Sequence, residues 1–187
     1  NGNTIENSAI IFKDGKITLV ADMATIRIDM RDMQVIDAGG KHIYPGFIVP
    51  NSTLGLVEID AVRASDDERE IGTMNPHIRS IIAYNAESKV VESMRPNGVL
   101  MGQITPRGGR ISGTSSIVQF DAWNWEDAII KENDGIHINW PNTFVRGRWG
   151  MGESDDLKPN KSYSKQVEAL NQFIISAKAH NTKPTSS

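Results

Sequence analysis

Few residues in this sequence stand at the spacings that chemistry requires. The four histidines, His42, His77, His137 and His180, are isolated from one another, with neither a His-x-His pair nor a His-Glu-x-x-His helix face to hold zinc. His77 is the strongest of them, because Asn75 and Arg79 flank it in a loop-rich stretch. Gly108-Gly109-Arg110-Ile111-Ser112-Gly113-Thr114-Ser115 has the glycine spacing of a phosphate loop, yet Thr114 stands where a lysine must reach the β- and γ-phosphates. That leaves a tight glycine loop, or a loop whose Arg110 and backbone N–H groups meet an anion at the mouth of a site. Asp66-Asp67-Glu68-Arg69-Glu70 lacks the alternating oxygen ligands of a calcium loop and reads as a solvated connection. Trp123, Trp125 and Trp140 suit either a ligand-stacking wall or half-buried packing under a loop. Asn51-Ser52-Thr53 is formally a glycosylation sequon, placed beside a strand entering the core. No Ser/His/Asp, Cys/His or paired-carboxylate arrangement follows from spacing.

The elements that must position these groups change in texture near Pro45. Before it, Ser8 to Phe12 and Lys16 to Val20 are β-branched runs around a hairpin-type Asp14-Gly15 turn. Gln34 to Asp37 and His42 to Tyr44, separated by Gly39-Gly40, are expected as a third and fourth strand of one antiparallel unit. After it, Phe47 to Val49 and Leu54 to Ile59 are strand-like and Ala61 to Thr73 is a charged connection. Val90, Val91 and Met94 have helical spacing, and Pro96-Asn97-Gly98 closes that helix. Val99 to Ile104 is an almost unbroken apolar run, the pattern of a strand buried on both faces, and a helix feeding it through a short turn predicts parallel α/β architecture. A Gly/Ser-rich loop over 108–115, a strand over Ser116 to Phe120 and a mobile loop over about 147–162 follow. Val167, Leu170, Phe173, Ile174 and Ala177 then line one face of a helix before a frayed tail.

Composition removes several classes. A net charge of -3 over 187 residues offers no footprint for phosphate backbones, so no nucleic-acid partner is expected. No run approaches the ~20 apolar residues of a membrane span, so no membrane partner is expected either. Zero cysteines exclude disulfides and thiolate metal sites. The start, Asn1-Gly2-Asn3-Thr4, looks trimmed, and the expectation is a soluble chain, cytoplasmic or periplasmic.

Two segments carry a resemblance. Ile5-Glu6-Asn7-Ser8-Ala9-Ile10-Ile11-Phe12-Lys13-Asp14-Gly15-Lys16-Ile17-Thr18-Leu19-Val20, followed by Val35-Ile36-Asp37-Ala38-Gly39-Gly40-Lys41-His42-Ile43-Tyr44-Pro45-Gly46-Phe47-Ile48, closely resembles the N-terminal region of the amidohydrolase superfamily. The likeness is to the imidazolonepropionase, dihydroorotase and N-acetylglucosamine-6-phosphate deacetylase type. It continues more weakly through Asn97-Gly98-Val99 and through Gly109 to Val118.

The resemblance implies a fold of class α/β plus β. Residues 1–46 would be part of a small β-sandwich composite domain, and residues 47–187 the N-terminal part of a (β/α)₈ barrel. The barrel would be incomplete, since a whole one takes roughly 250 residues. It implies hydrolysis of carbon–nitrogen bonds other than peptide bonds, in a cyclic amide or N-acyl small molecule. One divalent metal, zinc, iron or manganese, would serve the full-length protein, with none held by this chain alone; such a metal activates water and polarises the scissile carbonyl. The family's first two metal ligands are a His-x-His directly after Pro-Gly-Phe-Ile. Here those positions are Asn51 and Thr53, far weaker donors for zinc, and the arginine of dihydroorotase-like members is replaced by Gly55. The alternative is therefore a catalytically inactive ligand-binding or structural member of the same fold. Asn51, Thr53, His77, Arg79, Gln103 and Arg110 are the expected pocket-lining groups near the strand ends. Expected partners are a small-molecule ligand, the remainder of the same barrel or a second chain, and a further copy in a homo-oligomer.

Overall fold

The computed structural model describes residues 3–146 and 156–181. The chain divides into two compact units, Asn1–Pro45 and Gly46–Ser187.

In the first unit, β1 (Ser8–Lys13) pairs antiparallel with β2 (Lys16–Asp22). Asp14 and Gly15 join them with φ of 51° and 72°, the left-handed pair that matches the twist of a two-residue hairpin. The expected third and fourth strands, 34–37 and 42–44, do not form. Among the described residues neither segment finds a backbone partner, and Ile36 and Tyr44 remain exposed. A strand is defined by its ladder, so β propensity without a neighbouring edge leaves extended chain. The turn chemistry between them is present nonetheless: Asp37 Oδ1 accepts from Gly39 N–H, and Lys41 N–H closes onto Ala38 O.

The second unit is built on a four-stranded sheet in the order β3 (Phe47–Ser52), β4 (Val99–Ile104), β5 (Ile111–Gln119), β6 (Ile129–Ile138). β3 and β4 are parallel; β4, β5 and β6 are antiparallel. The expectation of parallel architecture throughout is thereby corrected. Only the β3-to-β4 connection is long enough for a crossover, and the two later ones are hairpin-like. The fold is mixed α/β with several sheets and few helices, and the described residues close no barrel. The expected loop over 108–115 is also corrected, because from Ile111 onward it is β5, among the most buried segments of the chain. Serine, threonine and glycine there allow close strand packing, so the composition of a loop was serving a core strand.

The crossover carries α1 (Lys89–Met94), whose N-cap Ser88 accepts from Val91 N–H, and it stops at Gly98 with φ 80°. Its Leu56, Ile81, Tyr84 and Val91 pack with Ile104, Val118, Phe120 and Ala128 as one core. In register, Gly102 faces Val118 and Ile104 faces Ser116, so this core covers one face of the sheet. Burial without a hydrogen-bond partner pushes the Tyr84 hydroxyl up to about 12. The expected strand over 54–59 is instead turn and bridge. Further on are α2 (Trp125–Ala128), the hairpin of β7 (Phe144–Arg146) and β8 (Leu157–Pro159), and α3 (Tyr163–Asn181). The loop expected over 147–162 lies partly outside the described residues, and its 157–159 portion is β8. Of the helix face expected from Val167 to Ala177, Leu170 is fully buried.

Candidate strand-end site

Because β3 and β4 are parallel, their C-terminal ends bring Asn51 beside Gln103. Gln103 Oε1 accepts from Asn51 N–H at 3.2 Å, and Gln103 Nε2 donates to Asp134 Oδ2 of β6 at 2.7 Å. Lys131 Nζ lies 2.8 Å from Asp134 Oδ1. These bonds, first Lys131 and then Gln103, hold the Asp134 carboxyl below the ordinary carboxylate range. From the β4–β5 connection, Arg107 donates Nη1 to Asn51 Oδ1 and Nη2 to Asn51 O, both at 2.6 Å. Asn51 itself is left-handed, with φ 51°, a conformation that asparagine tolerates better than most residues.

The group lies on the sheet face opposite the core: Gln103, Ile117 and Lys131 are cross-strand partners, one residue out of phase with Ile104 and Val118. Asp134 reaches that face through an irregularity in β6. Ser115 pairs with Gly135 and Ile117 with Lys131, so β6 carries two extra residues there, with Asn133 at φ 50°. Ser115 donates its hydroxyl proton to Gly135 O at 3.2 Å. Its oxygen also lies 2.8 Å from His137 Nε2, where the direction of the hydrogen bond follows the ring's tautomer. Burial, then the nearby positive charge of Arg107, pushes His137 below its usual range, and Asp134 opposes this.

That shift has a pH consequence. Folded His137 resists the charge that it accepts freely when unfolded, so its contribution is fully present above about 6.5 and is lost as pH falls from there through its lower folded value. The urea midpoint of the wild type is expected to fall across this window, and that of His137→Gln to fall less. Identical profiles would show that His137 is not coupled to folding.

Of the residues expected to line a pocket, the structure brings together Asn51 and Gln103. Thr53 is half-buried in the turn after β3, its carbonyl accepting from Leu56 N–H at 2.9 Å. Arg79 is engaged elsewhere on β6, donating to Asn133 Oδ1 at 3.2 Å and ion-paired with Glu132. Arg110 donates to Asn139 O at 2.6 Å, and Asn139 Nδ2 binds Gly108 O, Gly109 O and Ser112 Oγ. His77 is exposed on the crossover. Arg107, Lys131 and Asp134 complete the group without having been singled out in sequence, together with His137, named only as an isolated histidine, and Ser115, named only within the glycine-rich run. The available signal was Arg107 itself, in the same Pro-Arg-Gly-Gly-Arg run as Arg110.

The residues present do not fit a divalent metal at the first-strand positions. The Asn51 amide oxygen is occupied by a guanidinium, and a cation there would face that fixed positive charge. Among the described residues no cluster of three or more His, Asp or Glu groups is placed to hold a metal ion.

The second unit's sheet and long crossover have a counterpart among solved structures. The fold is similar to part of a solved amidohydrolase. The structure concerned is an amidohydrolase from Thermotoga maritima MSB8, matched with a TM-score of 0.63 and 20% identity over 95% of this chain and 47% of that one. The chain thus spans about half the length of that amidohydrolase. No family model and no curated protein matches the chain. No helix among the described residues is long and apolar enough to cross a membrane.

Proposed function

We propose that this chain is the opening portion of an amidohydrolase-type protein whose strand ends around Asn51 bind a small organic molecule without a metal on the first strand. The observation that carries this is the Arg107 clasp: the strand end that the resemblance assigns to two metal-binding imidazoles is an amide and a carbonyl held by one guanidinium. An arginine keeps its charge at any working pH and needs no deprotonated ligands around it. It polarises a ligand oxygen by donating hydrogen bonds, whereas it cannot activate water as a Lewis acid does. Ligand binding without metal-assisted hydrolysis at Asn51 and Thr53 is therefore the better-supported reading.

The fold likeness supports a second reading, hydrolysis of a cyclic amide or N-acyl compound with a metal held by residues beyond these strands. Elemental analysis of the full-length protein, purified without chelator, separates the two. The first reading expects far less than one equivalent of zinc, iron or manganese and no chelator-sensitive turnover. Near-stoichiometric metal with chelator-sensitive hydrolysis of N-acyl or cyclic amide substrates would overturn it.

A further inference from the structure

We propose that Asp134 is a positioning residue acting through Gln103: the extra residues of β6 carry its carboxylate over β5 to fix the Gln103 amide, and Gln103 in turn holds the left-handed Asn51 of the strand-end site. The coupling joins the first and last strands of the four-stranded sheet and operates whatever the site binds.

Two departures from regular pairing meet at Gln103. In β3, Val49 pairs with Gly102 and Ser52 with Ile104, so three steps of β3 match two of β4, and Asn51 lies inside the irregular stretch with φ 51°. An extra residue drops out of the ladder, and here the Asn51 N–H is taken up by a side chain, Gln103 Oε1 at 3.2 Å. In β6, the two extra residues fall between Lys131 and Gly135. That stretch is tied down from both sides. Arg79 Nε donates to Asn133 Oδ1, the Asn133 N–H donates to Ser116 Oγ, and the Ser115 hydroxyl donates to Gly135 O, each at 3.2 Å. Asp134, its side chain 17% exposed, is thereby delivered to Gln103 in one geometry.

Donors and acceptors then explain why position 103 is glutamine. The Asn51 N–H can only donate. Asp134, kept ionised at neutral pH by its bonds to Lys131 and Gln103, can only accept. A side chain between them must present an acceptor to the one and a donor to the other, as a primary amide does. Glutamate would set a second carboxylate against Asp134, and lysine would offer the Asn51 N–H no acceptor. Because the Asp134 carboxylate takes Nε2 at 2.7 Å in a charge-assisted bond, the amide is held from turning over and Oε1 stays on Asn51.

The test reverses the polarity of this relay in the full-length protein. Hydrogen–deuterium exchange is read by mass spectrometry in the peptide that contains Asn51, with peptides of β5 as the internal reference. Asp134→Ala leaves the Gln103 amide free to turn over, and Gln103→Glu sets two carboxylates together. Each is expected to speed exchange around Asn51 at least about tenfold, beyond any change in β5. Combining Gln103→Glu with Asp134→Asn swaps donor and acceptor between the two positions and should bring exchange back to within about threefold of the wild type. A purely structural contribution would not be rescued in this way. Unchanged exchange around Asn51 in both single variants, or a double variant no better than Gln103→Glu, overturns the proposal. So does an increase matched in β5, which would mean that Asp134 serves overall stability alone. Should Gln103→Glu fail to fold, a folded double variant with Asn51 protected supports the relay, and failure of both overturns it.

Discussion

Ile104→Ala is expected to lower the free energy of unfolding by about 2–5 kcal/mol. Ile104 is fully buried and closes the C-terminal end of β4 against the crossover, and its carbonyl accepts from the Ser80 hydroxyl at 2.7 Å. Truncation removes the buried methyl groups and leaves a cavity whose walls are a strand and a tethered turn, neither of which can move in to fill it. Ile104→Val keeps most of the shape and should lose only about 0.5–1.5 kcal/mol. Urea titration of the two variants measures the contrast; a loss of less than about 1 kcal/mol for the alanine variant would mean that the core relaxes around this position. The neighbouring residue, Gln103, faces the other way into the strand-end group, so the alanine variant is also expected to weaken ligand binding there.

Gly113→Ala should be comparably damaging for a different reason. Gly113 has φ 134°, and a Cβ added there would meet the Ile78 carbonyl oxygen at 2.7 Å and Ile78 Cβ at 3.0 Å. The backbone conformation alone costs an L-residue about 1–3 kcal/mol, and overpacking adds a similar amount. The same carbonyl accepts from Thr114 N–H at 2.7 Å, so relief of the clash would break the bond that holds the crossover to β5. Thermal unfolding of Gly113→Ala against wild type checks this, and an unchanged midpoint would show that the crossover is free to shift.

Local rules made the hairpin at Asp14-Gly15, the capped helix ending at Gly98 and the strand at Val99 legible in the sequence. Each is dictated by residues within a few positions of one another. The misread segments are those whose state depends on distant chain. Residues 34–37 have strand chemistry without an edge to join, and 111–115 have loop composition but lie between two strands. The strand-end group was half legible. Asn51 stood out by departing from a known pattern, and Gln103 by lying near the end of a strand. Asp134 was hidden, and the placement of His137 obscured, by the extra residues of β6, which break the alternation that sequence reading relies on. Arg107 differs from Arg110 in which asparagine its chain reaches, which no spacing rule decides.

The long excursion between the two parallel strands also sets an order of assembly. β5 and β6 meet across a short connection, whereas Asn51 and Gln103 are 52 positions apart and must wait for the whole crossover to compact. Loop-closure entropy therefore favours the β5–β6 pairing over the joining of β3, and the Arg107 clasp, spanning 56 positions, closes one of the longer loops of the sheet. Binding competence therefore depends on the contacts whose closure costs the chain most entropy.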